Sequence, residues 1–170
     1  MTHNYGFIGT NQVQTINGLK YIKDIRKNDI LINTDNTESV VECVLQIKCN
    51  NSMADICYFP NGLQILSLHP IRINNSWQYP YSITKPISSN CDYIYNIILN
   101  NRRHLNIHNI ECCTLAHSNN EYIIYHPFYG NETIINNLKT KFTNQYDFGL
   151  ITDITNIHID LYTGLVSGYS

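Results

Sequence analysis

The feature that most constrains the fold is the repeated alternation of short apolar runs with turn-forming residues. Ile, Val, Tyr and Thr recur in short runs that are separated by Asn, Asp, Gly and Pro. β-branched and aromatic residues favour strands, and a helical periodicity is hard to find along the chain. The pattern therefore predicts an all-β domain in which the chain meanders through many short strands.

Asparagine-rich pairs indicate where the turns lie. Asn17-Gly18 and Asn61-Gly62 each separate two apolar runs. These residues readily adopt the positive φ angles that tight hairpin turns require. Asn74-Asn75-Ser76 is a third turn candidate, and it predicts a small hairpin with arms at residues 71–73 and 76–79.

Two short segments are exceptions to the strand pattern. Residues 19–25 are expected to form one helical turn, and Glu132–Lys141 two or three turns after Gly130-Asn131. Residues 165–170 are small and polar, so we expect this end to fray. No repeat, charge block or linker interrupts the chain, which predicts a single domain.

Composition limits the classes of partner. Of the 170 residues, 43% are hydrophobic and 14% are charged, with a formal net charge of −2. Without a basic stripe, nucleic acid is not an expected partner. The apolar runs are too short to cross a bilayer, and residues 1–15 are polar where a signal peptide would be apolar. We therefore predict a soluble, intracellular protein with no membrane partner. The excess of Asn, Ile and Tyr fits an AT-rich genome, such as that of a protist or a large DNA virus, and leaves association with a virion open.

The cysteines are interpreted as free thiols. None of the six forms a Cys-x-x-Cys pair, and the lack of a secretory signal argues against disulfides. A zinc site built from Cys112 or Cys113 and nearby histidines is an alternative that the spacing does not select. Adjacent residues on a strand face opposite sides, so at most one of these two thiols can face a site. We predict neither a metal nor a cofactor.

Several stretches taken in order carry a resemblance to a known superfamily. The first three are GFIGTNQVQTINGLKYIKDIRKNDIL (6–31), GLQILSLHPIRINNSWQYP (62–80) and YIYNIILNNRRHLNIHNIECCTLAHS (93–118). Together they resemble the Hint (hedgehog/intein) superfamily. Three later stretches are similar to the Hint domains that are joined to von Willebrand type A modules in eukaryotes, including protists: YHPFYGNETIINNL (125–138), FGL (148–150) and TGLVSG (163–168). The similarity covers nearly the entire chain.

The resemblance implies a compact, mostly antiparallel, horseshoe-shaped β domain whose two ends meet at one active site. In active members the domain begins with a cysteine, whose thiol attacks the carbonyl just upstream and converts an amide into a thioester. A Thr-x-x-His element supplies a histidine that protonates the leaving nitrogen. In inteins a terminal His-Asn followed by a nucleophile completes splicing. By this resemblance residues 1–5 are a leader, extein-like or a tag, and residues 6–170 are one Hint-like domain.

The position of the nucleophile does not fit self-cleavage. Where the resemblance places a cysteine before aromatic Phe7, the chain has Gly6, which has no side chain with which to attack. The neighbouring Tyr5 offers only a phenol with an ordinary pKa of about 10. Gly6 is therefore interpreted as a vestigial catalytic position, with Phe7 lining the site.

The histidine element fits only in part. His69-Pro70 matches the proton donor of the superfamily, but Leu66 stands where the threonine belongs. Ser67 is one residue away and would face the opposite side of the strand, so it is at most a residue that lines the site. His69 is either a proton donor for an acyl shift or a histidine that fills and hydrogen-bonds a preformed pocket.

The remaining site candidates lie in the second half of the chain. Thr114-Leu115-Ala116-His117 resembles a Thr-Leu-Gly-His element of the narrower family, and His117 is expected either beside His69 or as the cap of a loop. His126-Pro127 repeats the histidine-proline pairing, and a proline there is expected to end a strand. The chain closes with VSGYS at residues 166–170 instead of His-Asn and a nucleophile.

Three functional hypotheses remain open. In the first, a Hint domain has lost self-cleavage and is a binding or structural module, with a protein partner or peptide segment in the former cleft near Gly6, His69 and His117. In the second, glycine has replaced a native cysteine at position 6 of a self-processing domain, whose activity is autoproteolytic and begins with an N–S acyl shift. In the third, the chain is an unrelated all-β structural protein, such as a virion component.

Overall fold

A computed structural model describes residues 5–170, and its elements are overwhelmingly strands. Residues 1–4, which make up most of the predicted leader, lie outside the described residues. The strands are β1 Phe7–Ile8, β2 Gln12–Thr15, β3 Gly18–Tyr21, β4 Ile30–Ile32, β5 Glu38–Lys48, β6 Met53–Tyr58, β7 Gln64–Leu66, β8 Ile71–Ile73, β9 Ser76–Gln78, β10 Ile87–Asn90, β11 Tyr93–Leu99, β12 Leu105–Ile107, β13 Ile110–Cys112, β14 Leu150–Ile151, β15 Ile157–Ile159 and β16 Val166–Tyr169. The helices are α1 Glu132–Lys141 and α2 Thr143–Phe148, with 3₁₀ turns at Ile22–Asp24, Asn50–Ser52 and Pro80–Ser82.

The main sheet has ten strands in the described part of the chain. Its order is β10-β6-β7-β1-β11-β5-β4-β2-β3, with β14 added to β5. The pair β14–β5 is parallel, and β11 runs antiparallel to both β5 and β1. A smaller sheet has the order β12-β13-β8-β9, and β15 pairs with β16. The prediction of an all-β fold of short, mostly antiparallel strands with one or two short helices is confirmed.

The predicted hairpin turns are present and use the predicted residues. Gly18 has φ +109° at the β2–β3 turn, and Gly62 has φ +96° between β6 and β7. Asn74 and Asn75 have φ 51° and 61° between β8 and β9. At the β8–β9 turn, positive φ at both Asn74 and Asn75 matches the right-handed twist of the flanking strands, and asparagine adopts such angles readily, so the local sequence locates this turn.

The central strand β11 contributes to two separate cores. Ile94 and Ile98 belong to one apolar cluster, whereas Ile97 and Leu99 belong to another. Successive side chains of a strand point to opposite faces, so a strand that is covered on both sides supplies both cores. Helix α1 covers the first cluster through buried apolar residues that include Leu138.

The helices follow the prediction only in part. Helix α1 has the predicted bounds, and the Asn131 side chain caps it by accepting from the Thr133 N–H. Helix α2 was not predicted, and it ends at Gly149 with φ +89°. Residues 19–25 do not form one helical turn, because they divide between strand β3 and the 3₁₀ turn Ile22–Asp24.

The end of the chain is ordered, so the expectation that residues 165–170 fray is wrong. Strand β16 pairs with β15, and the side chain of Tyr169 is fully buried. Its ring packs edge-on against Phe128 at 5.4 Å between centroids. The burial of one large aromatic side chain anchors a segment whose composition is otherwise small and polar.

Helix length argues against one kind of membrane span. Among residues 5–170, neither α1 nor α2 is long and apolar enough to cross a bilayer.

Candidate functional site

His69 lies between strands β7 and β8 and is completely buried. Its Nε2 is 2.7 Å from the carbonyl oxygen of Cys113. A carbonyl oxygen can only accept, so Nε2 carries the proton and Nδ1 has the lone pair. This Nδ1 is buried and has no hydrogen-bond partner within residues 5–170.

Two aromatic rings cover the imidazole of His69. The ring of Tyr5 stacks on it at 4.4 Å between centroids, and that of Phe7 lies tilted at the same distance. Burial lowers the pKa of His69 to about 3, although the hydrogen bond to the Cys113 carbonyl acts in the opposite direction. The imidazole is therefore neutral at pH 7, and its single N–H is already engaged.

Tyr5, the residue that precedes Gly6, is held by contacts of its carbonyl, hydroxyl and ring. Asn96 Nδ2 donates to the carbonyl oxygen of Tyr5 at 3.0 Å, and the Tyr5 hydroxyl donates to Cys113 Sγ at 2.9 Å. The Tyr5 ring also stacks on Tyr129 at 4.8 Å. Burial of the phenol raises the pKa of Tyr5 well above its ordinary value, so this group is no nucleophile.

The backbone at Gly6 is packed closely against strand β11. A Cβ atom at this position would lie 3.1 Å from the Cβ and Cδ1 of Ile94 and 3.3 Å from the carbonyl oxygen of Tyr95. These distances are shorter than comfortable van der Waals contacts between carbon atoms. The site therefore fits a glycine, and a larger residue requires Ile94 to move.

Leu66 and Ser67, which precede His69, make packing and backbone contacts. Leu66 is buried and belongs to the first apolar core, so no hydroxyl is present at its position. Ser67 is half-buried, and its backbone N–H donates to the carbonyl of Asp55.

The Thr114–His117 element is tied to loop contacts. Thr114 Oγ1 donates to the carbonyl of Arg103 at 2.7 Å. His117 Nδ1 accepts from the Asn119 N–H at 2.9 Å, and its ring lies 5.2 Å from that of His104. Of its two expected placements, His117 has the geometry of a loop cap.

His126 also organises a loop. Its Nδ1 accepts from the backbone N–H groups of Phe128 and Tyr129. Burial, with a smaller contribution from His117, lowers the pKa of His126 to about 4. This imidazole is therefore a neutral acceptor at pH 7 and supports the loop that carries Tyr129.

Several residues of the site were missed from the sequence. Asn96, Tyr129 and the carbonyl of Cys113 all contact the Tyr5–His69 pair. A signal for Asn96 was available, because an amide inside the apolar run of β11 needs a buried partner. No local pattern points to the other two.

An apolar cavity of about 360 Å³ adjoins the site. Tyr5 and Tyr129 line it next to the histidine, and Leu68, Tyr79 and Val166 are among the residues of its other walls. His69 itself does not line this cavity. The open space therefore lies beside Tyr5, on the outer side of the stacked rings.

The thiols next to the site lie in two different packing environments. Cys112 packs in the second core and Cys113 packs with Trp77 and Ile124, as expected for neighbours on opposite faces. Burial raises the pKa of Cys113 to about 12. Within the described residues no group of three or more His, Cys, Asp or Glu side chains is arranged to hold a metal ion.

This curled all-β fold, with the start of the domain held against a buried histidine, defines a Hint-type domain. The Hint-domain model named Vint matches residues 6–168, and the chain belongs to this family. The resemblance to the Hint superfamily is thereby confirmed, and an unrelated β protein with a chance likeness is excluded. The association with von Willebrand type A modules stays a prediction.

Solved structures with a similar fold are inteins. The gp41-1 intein is 14% identical with a TM-score of 0.49, covering 64% of this chain and 98% of that chain. The MchDnaB-1 intein is 11% identical with a TM-score of 0.46 over the same shares. The Msm DnaB1 intein splicing domain bound with zinc is 11% identical with a TM-score of 0.40, covering 58% of this chain and 89% of that chain. No curated protein matches the sequence.

Proposed function

We propose that this Hint domain holds its upstream peptide without cleaving it and acts as a binding or structural module. The observation that carries the proposal is Gly6. It offers no nucleophile to the Tyr5 carbonyl, and its backbone packs so closely that an added Cβ would lie 3.1 Å from Ile94. An acyl shift requires an attacking atom within reach of the carbonyl.

The state of His69 supports the same proposal. Proton donation to a leaving nitrogen requires a proton near that nitrogen. The only N–H of the neutral imidazole is directed at the Cys113 carbonyl, and its pKa of about 3 makes the doubly protonated form scarce at pH 7. In this arrangement His69 supports the stack with Tyr5 and Phe7.

The thiol of Cys113 is a poor substitute for the missing nucleophile. It accepts a hydrogen bond from the Tyr5 hydroxyl, and its pKa of about 12 keeps it protonated near neutral pH. A thiolate is the reactive form in acyl transfer.

The binding role rests on the apolar cavity beside Tyr5. Its volume of about 360 Å³ suits one or two apolar side chains of a protein partner or peptide segment. Tyr125 and Leu165 line it while remaining 56% and 40% exposed, so apolar surface is available at its rim. A partner that covers these side chains removes apolar area from water.

A self-processing domain with a native cysteine at position 6 is the second candidate. The hydrogen bond from Asn96 to the Tyr5 carbonyl favours it, because such a donor polarises a carbonyl for attack. The proposed module uses the same bond only to fix the peptide.

Mass spectrometry of restored variants separates the two candidates. Gly6→Cys, Gly6→Cys/Ile94→Val and Gly6→Cys/Ile94→Val/Leu66→Thr are incubated with excess small thiol, and release of residues 1–5 is measured. We expect all three variants to stay intact, because His69 remains hydrogen-bonded to the Cys113 carbonyl in each of them. Gly6→Ala/Ile94→Val is the matched control, since it adds the same Cβ without sulfur. Efficient thiol-dependent release from Gly6→Cys alone, with a folded control, refutes the proposed loss of activity.

A further inference from the structure

The hairpin between strands β15 and β16 carries two apolar side chains into solvent at its tip. Leu161 is 96% exposed, and Tyr162 is fully exposed. Within residues 5–170 no other large apolar side chain is as exposed as either of them. Adjacent exposed apolar groups of this kind are typical of a contact with another molecule.

Hydrogen bonds fix the backbone of this tip. Asp160 Oδ1 accepts from the N–H groups of Tyr162 and Thr163 at 2.9 and 2.8 Å. The Gly164 N–H donates to the Asp160 carbonyl oxygen at 2.8 Å, and Gly164 has φ +70°, which residues with a side chain rarely adopt. Because the turn is ordered before any contact forms, little conformational entropy is lost when a partner binds it.

The same hairpin forms a wall of the apolar cavity beside Tyr5. Four residues that line the cavity belong to it: Ile157, Ile159, Leu165 and Val166. The tip continues directly from this wall, since it lies between Ile159 and Leu165 in the chain. Its two apolar side chains are nevertheless exposed, so they do not fill the cavity of their own copy. A projection and an open cavity therefore lie side by side on one face of the domain.

The cavity can accept an apolar group without burying a charge. None of the lining residues that the structure describes is Asp, Glu, Lys or Arg. His126, the one histidine among them, is neutral at pH 7, because burial and then the neighbouring His117 lower its pKa to about 4. The volume of about 360 Å³ suits one or two apolar side chains, and the tip offers two.

We propose that this face forms a symmetric dimer, in which Leu161 and Tyr162 of each copy enter the apolar cavity of the other. Half a turn about a two-fold axis brings both tips to both cavities at once, whereas a one-sided contact leaves one tip and one cavity uncovered. This inference rests on the proposed function, because it names a second copy of this chain as the partner of the same cavity.

The exposed apolar area is sufficient for a weak dimer. The tip residues and the exposed side chains at the rim of the cavity offer roughly 500–600 Å² per copy, with about 200 Å² from one exposed tyrosine. These side chains are Leu161, Tyr162, Leu68, Tyr125 and Leu165. Two copies together bury about 1,000–1,200 Å², which reaches the lower limit of specific interfaces. We therefore expect a dissociation constant on the order of micromolar.

Sedimentation velocity across the micromolar concentration range tests the dimer. We expect the wild type to change from monomer to dimer as its concentration rises. Leu161→Ser/Tyr162→Ser should weaken dimerisation at least about a hundredfold, and it should fold normally because both side chains are exposed. Phe148→Ser is the matched control, since it removes an exposed apolar side chain outside the tip and the cavity. A monomeric wild type at every concentration, a dimer that survives the tip substitutions, or equal weakening by Phe148→Ser overturns the proposal.

Cross-linking tests whether the tip enters the cavity. A copy with Tyr162→Cys is mixed with a differently tagged copy that carries Leu68→Cys in the cavity wall, and reductant is removed. The six native cysteines are buried, so the introduced thiols should react with each other and give a mixed dimer. Asn17→Cys in place of Leu68→Cys is the control, because Asn17 is exposed at the β2–β3 turn. Equal cross-linking to both positions, or none to Leu68→Cys, overturns the proposed geometry.

The dimer and the loss of self-cleavage can fail separately. A monomer that stays intact in the thiol incubation refutes the dimer and assigns the cavity to a different partner. A dimer whose Gly6→Cys variant releases residues 1–5 refutes only the loss of activity.

Discussion

Acidification should destabilise the domain through His69 before most carboxylates titrate. The folded pKa of this histidine is about 3, against an ordinary value of 6.5, because burial disfavours the charged ring. The unfolded chain therefore binds a proton in a range where the folded one does not. Stability that is fully present above about pH 6.5 is lost as the pH falls toward 3.

The magnitude follows from the difference between the two pKa values. A difference of about 3.5 pH units, at about 1.36 kcal/mol each, limits the contribution of His69 to about 5 kcal/mol. At pH 5 the unfolded histidine is almost fully protonated and the folded one is neutral, so about 2 kcal/mol is already lost. The lowered pKa values of His104 and His126 act in the same direction, less strongly because these rings are partly exposed.

Urea unfolding at pH 8, 6.5 and 5 measures this effect. We expect the wild type to lose at least about 2 kcal/mol of unfolding free energy between pH 8 and 5. His69→Gln should be less stable at pH 8 and lose about 2 kcal/mol less than the wild type over the same range. His108→Gln is the matched control, because it removes an exposed histidine.

An unchanged pH dependence in folded His69→Gln would refute the reasoning. Should that variant not fold, the ring protons of His69 in the wild type give a second measurement. They should show no titration between pH 8 and about 4.5 in the folded state. A midpoint near 6 would contradict the buried, neutral ring.

Three further predictions concern other contacts. The sulfur atoms of Cys49 and Cys91 are 3.3 Å apart, and the hydrogen bond from Cys49 lowers the pKa of Cys91. Hydrogen peroxide should therefore oxidise the two thiols to a disulfide, with release of water. By the loop-entropy relation, this disulfide closes a loop between residues 42 apart and should add about 4 kcal/mol of stability. Peptide mapping without reductant detects the disulfide, and Cys91→Ser must abolish it. Glu42→Gln should cost about 1–3 kcal/mol in urea unfolding, because Glu42 joins helix α2 to the turn after β11; no loss would show that these contacts carry little energy. Asn96→Ala should expose the Tyr5 carbonyl and speed chymotrypsin cleavage after Tyr5, whereas an unchanged rate would mean that the stacked rings alone hold the peptide.

The parts of the fold that were predicted from sequence depend on local chemistry. Asn17-Gly18 and Asn74-Asn75 locate hairpins because few other residues accept positive φ. Asn131 begins helix α1 because its side chain caps the first turn. Helix α2 and strand β16 were missed because the burial of Tyr146 and Tyr169 is decided by distant partners.

Two positions of the site were predictable from the sequence, but their contacts were not. His69 and Gly6 were located by the resemblance to the Hint superfamily, and the structure places His69 against the rings of Tyr5 and Phe7, the two neighbours of Gly6. The groups that set the properties of His69 come from elsewhere in the chain: the carbonyl of Cys113 and the ring of Tyr5. Such contacts join residues far apart in sequence, so no spacing rule reveals them.

The close packing of Gly6 on Ile94 ties the side chain that position 6 can carry to the shape of the next strand. A substitution that adds a Cβ at position 6 brings it to 3.1 Å from this branched neighbour, which then has to move by a few tenths of an ångström. A smaller residue at 94 relieves this contact, but on its own it leaves a void in the core. The side chains at positions 6 and 94 are thus coupled across two neighbouring strands, and we expect substitutions at the two positions to have non-additive effects on stability.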